Sequence, residues 1–234
     1  MLILREPHKN LEITRGAEGW RDFLAHPPRH WKDNRAAQRL AQAWEAADPE
    51  APPELARAFW TTPFASFTPM VAIPAYEVDM PGGRIGALND LFVLGVIGTD
   101  LAVLMVQGKV TDEVGPTLDE WLTTPSPGRL RRVGFLKAEL NLPDPLPDGT
   151  CSGLIHRTAA PLVEARRLGA RYAAMVVVAF GVSDACREEY AGFARLLHVS
   201  GKPGLIERVP AHTDPELWIG WTDALEHRTT RHDD

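Results

Sequence analysis

Two short apolar runs, 91–97 (LFVLGVI) and 101–106 (LAVLMV), are separated only by Gly98-Thr99-Asp100. An amphipathic helix would show an apolar stripe recurring every 3.6 residues. These runs are apolar at odd and even positions alike, and a glycine turn joins them. They therefore predict two antiparallel strands, each covered by other structure on both faces. Residues 172–180 form a third run of this kind, far short of the roughly 20 residues a membrane-spanning helix needs. Strands buried on both faces require helices on each side of their sheet, so the predicted class is α/β, a mixed central sheet flanked by helices.

The rest of the chain supplies those helices. Ala37, Leu40, Ala41 and Trp44 recur at i, i+3, i+4 and i+7, which predicts a helix over 34–47 closed by Asp48-Pro49. Shorter helices are expected over 19–24 and from Pro53 to Phe59. Residues 70–80 read as a strand, followed by a turn at Pro81-Gly82-Gly83, which is not a GxGxxG phosphate loop. A basic helix is expected over 129–140, and another over 152–168 with Gly169 just past its end and a kink or break at Pro161. A last helix over 184–197 and short strands at 205–209 and 217–221 complete the pattern. The first thirty residues carry no clear period. One domain over 1–234 is expected, with its core at about 30–200 and a polar, frayed tail at 226–234.

Composition narrows the function classes. At 234 residues, 44% hydrophobic and 24% charged, the chain matches an ordinary globular protein. The charge of −6 argues against a generic nucleic-acid coat, whose affinity comes from neutralised phosphates. It leaves room for a local basic face. The opening residues MLILREPHKN lack a secretory pattern, so a cytoplasmic protein with no membrane segment is expected. Cys151 and Cys186 have no ligand spacing and read as buried thiols in a reducing compartment. No nucleophile elbow occurs.

The chemistry-bearing residues gather at the open end of the hairpin. Asp90 begins one strand, and Gln107-Gly108-Lys109 ends the other. Alternation puts Gln107 and Lys109 on one face. A hard cation wants oxygen ligands. The Asp90 carboxylate, the Gln107 amide oxygen and the Gly108 carbonyl offer a partial set, and Lys109 could orient or deprotonate a water. Each residue also has a plainer role, Asp90 as a turn or cap residue and Lys109 as a solvated strand end. His156 and Arg157 open a helix and could reach a phosphate, or could pack and pair with Glu164. Arg129, Arg131, Arg132 and Lys137 make a basic helix face that could track a backbone, or simply a solvated one. The tryptophans, Trp44, Trp60, Trp121, Trp218 and Trp221, read as packing groups.

Asp90, a strand pair and then Gln-x-Lys resemble the D…(D/E)xK signature of the restriction-endonuclease-like nucleases. A longer set is similar to an uncharacterised bacterial family placed near that superfamily. It comprises His30-Trp31-Lys32, the Leu40-Ala41-x-x-Trp44 helix, Pro81-Gly82-Gly83-Arg84, Asn89-Asp90, Val106-x-Gly108-Lys109-Val110, Gly115-Pro116-Thr117 and His156-Arg157-Thr158-Ala159. The resemblance implies a restriction-endonuclease-like fold and a Mg²⁺- or Mn²⁺-dependent phosphodiesterase acting on nucleic acid. Asp90 would be its metal ligand and Lys109 its catalytic lysine. The departure is Gln107, an amide where the motif has an acid. A further carboxylate, Glu45, Glu77, Asp112 or Glu113, then has to complete the metal site. Alternatively catalysis is lost and the fold binds nucleic acid or a protein, with a homodimer left open as its assembly.

Overall fold

The computed structural model describes residues 2–5, 10–13, 15–24, 27, 31–32, 35–47, 50–111 and 115–224. Eight strands form one mixed sheet: β1 (Leu2–Arg5), β2 (Asn10–Ile13), β3 (Phe67–Val78), β4 (Ala87–Ile97), β5 (Asp100–Lys109), β6 (Tyr172–Ala179), β7 (Ile206–Thr213) and β8 (Glu216–Asp223). Their order across the sheet is β2-β1-β3-β4-β5-β6-β8-β7. β3, β4 and β5 make an antiparallel meander, whereas β5, β6 and β8 run parallel. The helices are α1 (Ala36–Ala47), α2 (Pro53–Phe59), α3 (Leu118–Leu122), α4 (Pro127–Leu140), α5 (Ser152–Leu168) and α6 (Asp184–Leu196).

The doubly apolar runs behave as expected. Along β5, Val103 and Met105 join a core under α4, α5 and α6, while Ala102, Leu104 and Val106 join a second core under α1 and α2. Every residue of β6 is buried. α5 departs from expectation, because it runs through Pro161 without a break. Proline removes one hydrogen bond, but the flanking Ala159, Ala160 and Leu162 are fully buried and hold both turns against the sheet. The helix expected over 19–24 is a 3-10 helix, Ala17–Phe23, with Leu24 just past its end, and β1 and β2 come from the segment with no readable period. Trp60 is exposed, not packed. The expected frayed tail lies outside the described residues.

One irregularity shapes the site. In β3, Ile73, Tyr76 and Val78 all pack on the α5 side, so the alternation slips once. In β4, Phe92 and Ala87 share that side with an odd spacing between them, so it slips there too. The slips face each other: Pro74 pairs with Leu91 and Tyr76 with Asn89, leaving Ala75 opposite Asp90. Ala75 holds a φ of 51°, which an L-residue seldom adopts. Beyond this point Asn89, not Asp90, turns toward the α5 side.

The β3–β4 turn is tied to α4. Gly82 has a φ of 91°, and a Cβ there would stand 2.3 Å from the Gly128 carbonyl oxygen and 2.5 Å from the Arg132 nitrogen. Gly82→Ala is therefore expected to cost about 1–3 kcal/mol through overpacking and backbone strain. Urea unfolding checks this; a loss too small to measure would mean that the turn packs elsewhere.

Candidate functional site

The parallel strands β5 and β6 end beside the start of β4, and α4, α5 and α6 wall the space above them. The result is a cavity of about 710 Å³. Gln107, Gly108 and Lys109 line its floor. The N-terminal turn of α5 (Ser152, Gly153 and Leu154) lines one side, and the turn at residues 82–86 forms part of the rim.

Its charge contrasts with that of the whole chain. Among the described lining residues, Arg84, Lys109, Arg129, Arg132 and Arg157 are basic, and Glu189 is the lone carboxylate. Burial makes the Glu189 carboxyl harder to ionise, with the neighbouring Lys109 opposing that rise. Burial likewise pushes the Cys151 thiol up, so it rests protonated rather than as a nucleophilic thiolate. His156 is shifted the other way by burial, toward its neutral form. Its Nδ1 lies 2.7 Å from the Ser152 carbonyl oxygen, and its ring meets Trp121 edge-on.

The cationic residues divide by role. Arg132 is 4% exposed. Its Nε donates to the Pro81 carbonyl (2.6 Å), and its Nη2 to those of Met80 (2.9 Å) and Ile85 (3.0 Å). It holds the turn in place and is a structural cation, not the backbone-tracking group expected from its helix face. Arg129 stacks over Trp121 and donates to the Trp121 and Thr124 carbonyls. Lys137 pairs with Asp144, so the basic face of α4 does not act as one unit. Arg157 lines the cavity, and the partner once open to it, Glu164, is bound by Arg167 instead.

At the hairpin end, Gln107 is 2% exposed, and its Nε2 donates to Asn89 Oδ1 at 2.8 Å. Asn89 donates in turn to the Ala87 carbonyl, and Gln107 Oε1 has no partner. Asp90 does not line the cavity. Its Oδ2 accepts from the Gly108 N–H at 2.8 Å, where the β4–β5 ladder has ended. Gly108 stands close under α1: a Cβ there would lie 2.8 Å from that of Ala36. Glu77 accepts from the Gly86 N–H and closes the turn, and Glu45 accepts from Trp20. Neither faces the cavity, and Asp112 and Glu113 lie outside the described residues.

Mg²⁺ would want several oxygens, at least one or two of them anionic. No three His, Cys, Asp or Glu side chains converge among the described residues. The floor offers one neutral amide, Gln107, bonded to the fully buried Asn89 behind it. These residues do not fit a Mg²⁺ or Mn²⁺ centre built on Asp90, Gln107, Gly108 and Glu77.

A family described as a domain of unknown function (DUF6946) matches residues 13–226. The chain belongs to that family. No curated protein and no solved structure matches it. The DUF6946 match spans both cores, the amide pair and the cavity together. No described helix is long and apolar enough to cross a membrane.

Sequence reasoning missed Asn89, Glu189, Tyr190 and Trp121 as members of the site. Only Asn89 carried a signal, its place beside Asp90. Reading it needed the slip at Ala75, which no residue pattern announces.

Proposed function

We propose that this chain has a restriction-endonuclease-like fold whose metal centre has given way to a neutral amide pair, leaving a module that binds nucleic acid through its phosphates. The observation that carries the reading is the buried Gln107–Asn89 hydrogen bond at the end of β4 and β5. The motif implies acids at Asp90 and at position 107; only the second is replaced here, by Gln107, and that amide bonds to Asn89 beside the retained Asp90. Two carboxylates so close would repel unless a cation or a shared proton lay between them. Two amides can share a hydrogen bond, one donating and one accepting, with no charge to neutralise. The motif's other acid, Asp90, accepts instead from the Gly108 N–H.

What remains is a phosphate receptor. Lys109, Arg129 and Arg157 converge on the cavity beside the first turn of α5. A helix N-terminus adds its partial positive charge to theirs. On a chain with a net charge of −6, this potential is local, which favours binding at one place over general coating. His156, held near neutral, supports Trp121 by packing and contributes no charge.

The reading is tested with a labelled single-stranded oligonucleotide, followed by fluorescence anisotropy in EDTA and in Mg²⁺ at fixed ionic strength. Equal affinity in both, falling as salt rises, is expected. Arg157→Ala should weaken binding about 10- to 100-fold, the worth of a charge-assisted contact to phosphate. Shortening of the oligonucleotide in Mg²⁺ alone would contradict the proposal and restore a metal-dependent nuclease.

A further inference from the structure

The cavity holds more than phosphate-binding groups. Its lining carries two acceptors with lone pairs to fill, one on β5 and one on α6, beside the Tyr190 hydroxyl, which can donate or accept. Gln107 has its Nε2 committed to Asn89, so Oε1 is its remaining polar atom, buried and without a partner. Glu189 likewise has an unpartnered buried Oε1. A buried acceptor left unmatched costs free energy, so such atoms point to a ligand that donates.

Phosphate fails that requirement. Its oxygens accept hydrogen bonds, so they can meet the Lys109 ammonium on the floor but would face Gln107 Oε1 and Glu189 acceptor to acceptor. The cations Arg129 and Arg157 line the wall by α4 and α5 and suit the anionic end. At the mouth, Ile85 and Leu88 line the cavity and are 78% and 51% exposed, so they offer apolar surface to a ligand there. A ligand for this space needs N–H donors at one end, an apolar flat body and an anion at the other. A volume of about 710 Å³ admits one small organic molecule, within the roughly 300–1,000 Å³ of typical ligand sites.

Resting on the phosphate-binding reading above, we infer that the cavity takes a single nucleotide whose base carries an exocyclic amino group. The amino group donates to Gln107 Oε1 and Glu189, the base lies against Ile85 and Leu88, and the phosphate meets Arg129 and Arg157. Adenine, cytosine and guanine carry such an amino group, and thymine does not. The nucleotide is either free or turned out of a single strand, as in proteins that read an unstacked base in a pocket.

Calorimetry on the full chain in EDTA tests this with the four deoxynucleoside monophosphates, inorganic phosphate, the unphosphorylated nucleosides, and short homopolymers of dA and dT. At least one amino-bearing monophosphate should bind roughly tenfold or more tighter than thymidine monophosphate and than inorganic phosphate. Gln107→Leu should erase that preference. Glu189→Ala, a half-buried and more tolerant position, should do the same and stands in if Gln107→Leu fails to fold. Tighter binding of the dA homopolymer than of the free nucleotide identifies a strand as the source, and the reverse identifies a free nucleotide. Equal affinity for all four monophosphates, or a preference that survives both variants, overturns the inference. If oligonucleotides bind while monophosphates do no better than phosphate, the inference falls and the phosphate-binding module stands. If neither binds, both fall.

Discussion

Arg132→Leu is expected to lower folding stability by about 2–4 kcal/mol, because it leaves one buried and two part-buried backbone carbonyls without their donor. One guanidinium satisfies the carbonyls of Met80, Pro81 and Ile85 from a helix about fifty residues away in sequence. Burial disfavours its charged form and lowers its pKa, so the three carbonyls offset that cost. Leucine fills the volume and donates nothing. Lysine keeps the charge but lacks the planar fork, so Arg132→Lys should recover only part of the loss. Urea unfolding with an unchanged m-value measures both. A loss under about 1 kcal/mol for Arg132→Leu would mean that solvent reaches these carbonyls, because an exposed carbonyl finds water at little cost.

The double variant Asn89→Asp with Gln107→Glu is expected to convert a hydrogen-bonded neutral pair into a metal-dependent one. In EDTA it places two carboxylates within hydrogen-bond distance in a buried site, and it should lose about 2–4 kcal/mol of stability. The sign of its pH dependence follows from the proton that the folded pair must keep. A carboxyl whose folded pKa is raised binds more protons folded than unfolded, so stability falls as pH rises. Millimolar Mg²⁺ should restore much of the loss, because a cation between the carboxylates binds only the folded chain. Thermal unfolding with and without Mg²⁺ reads all three effects. A double variant as stable in EDTA as the wild type would contradict the packing described for Gln107 and Asn89.

The hairpin was legible because its physics is local. Runs apolar at every position have one good solution, strands between two layers of helices, and Gly98 marks the turn. α5 was legible to its ends for the same reason, with Gly169 at a φ of 67° past its last residue. The face of each site residue was not legible. Strict alternation carries Asp90 onto the cavity side with Gln107, yet the slip at Ala75 and Asp90 sends Asn89 there instead. That slip is settled by β3 and β4 together and by the packing of Tyr76 against Phe92, a contact between residues of different strands. The basic stripe on α4 misled in the same way. Arg132 points at a turn that sequence spacing gives no reason to place beside it.

The central claim is that the hairpin floor is a neutral amide pair with no role for a divalent cation. Its most direct test is calorimetric titration of the wild-type chain with Mg²⁺ and Mn²⁺, with a cleavage assay on single- and double-stranded DNA and RNA in parallel. The account predicts no binding at millimolar metal and no cleavage. Saturable metal binding with metal-dependent cleavage, both lost in Asp90→Ala, would contradict it.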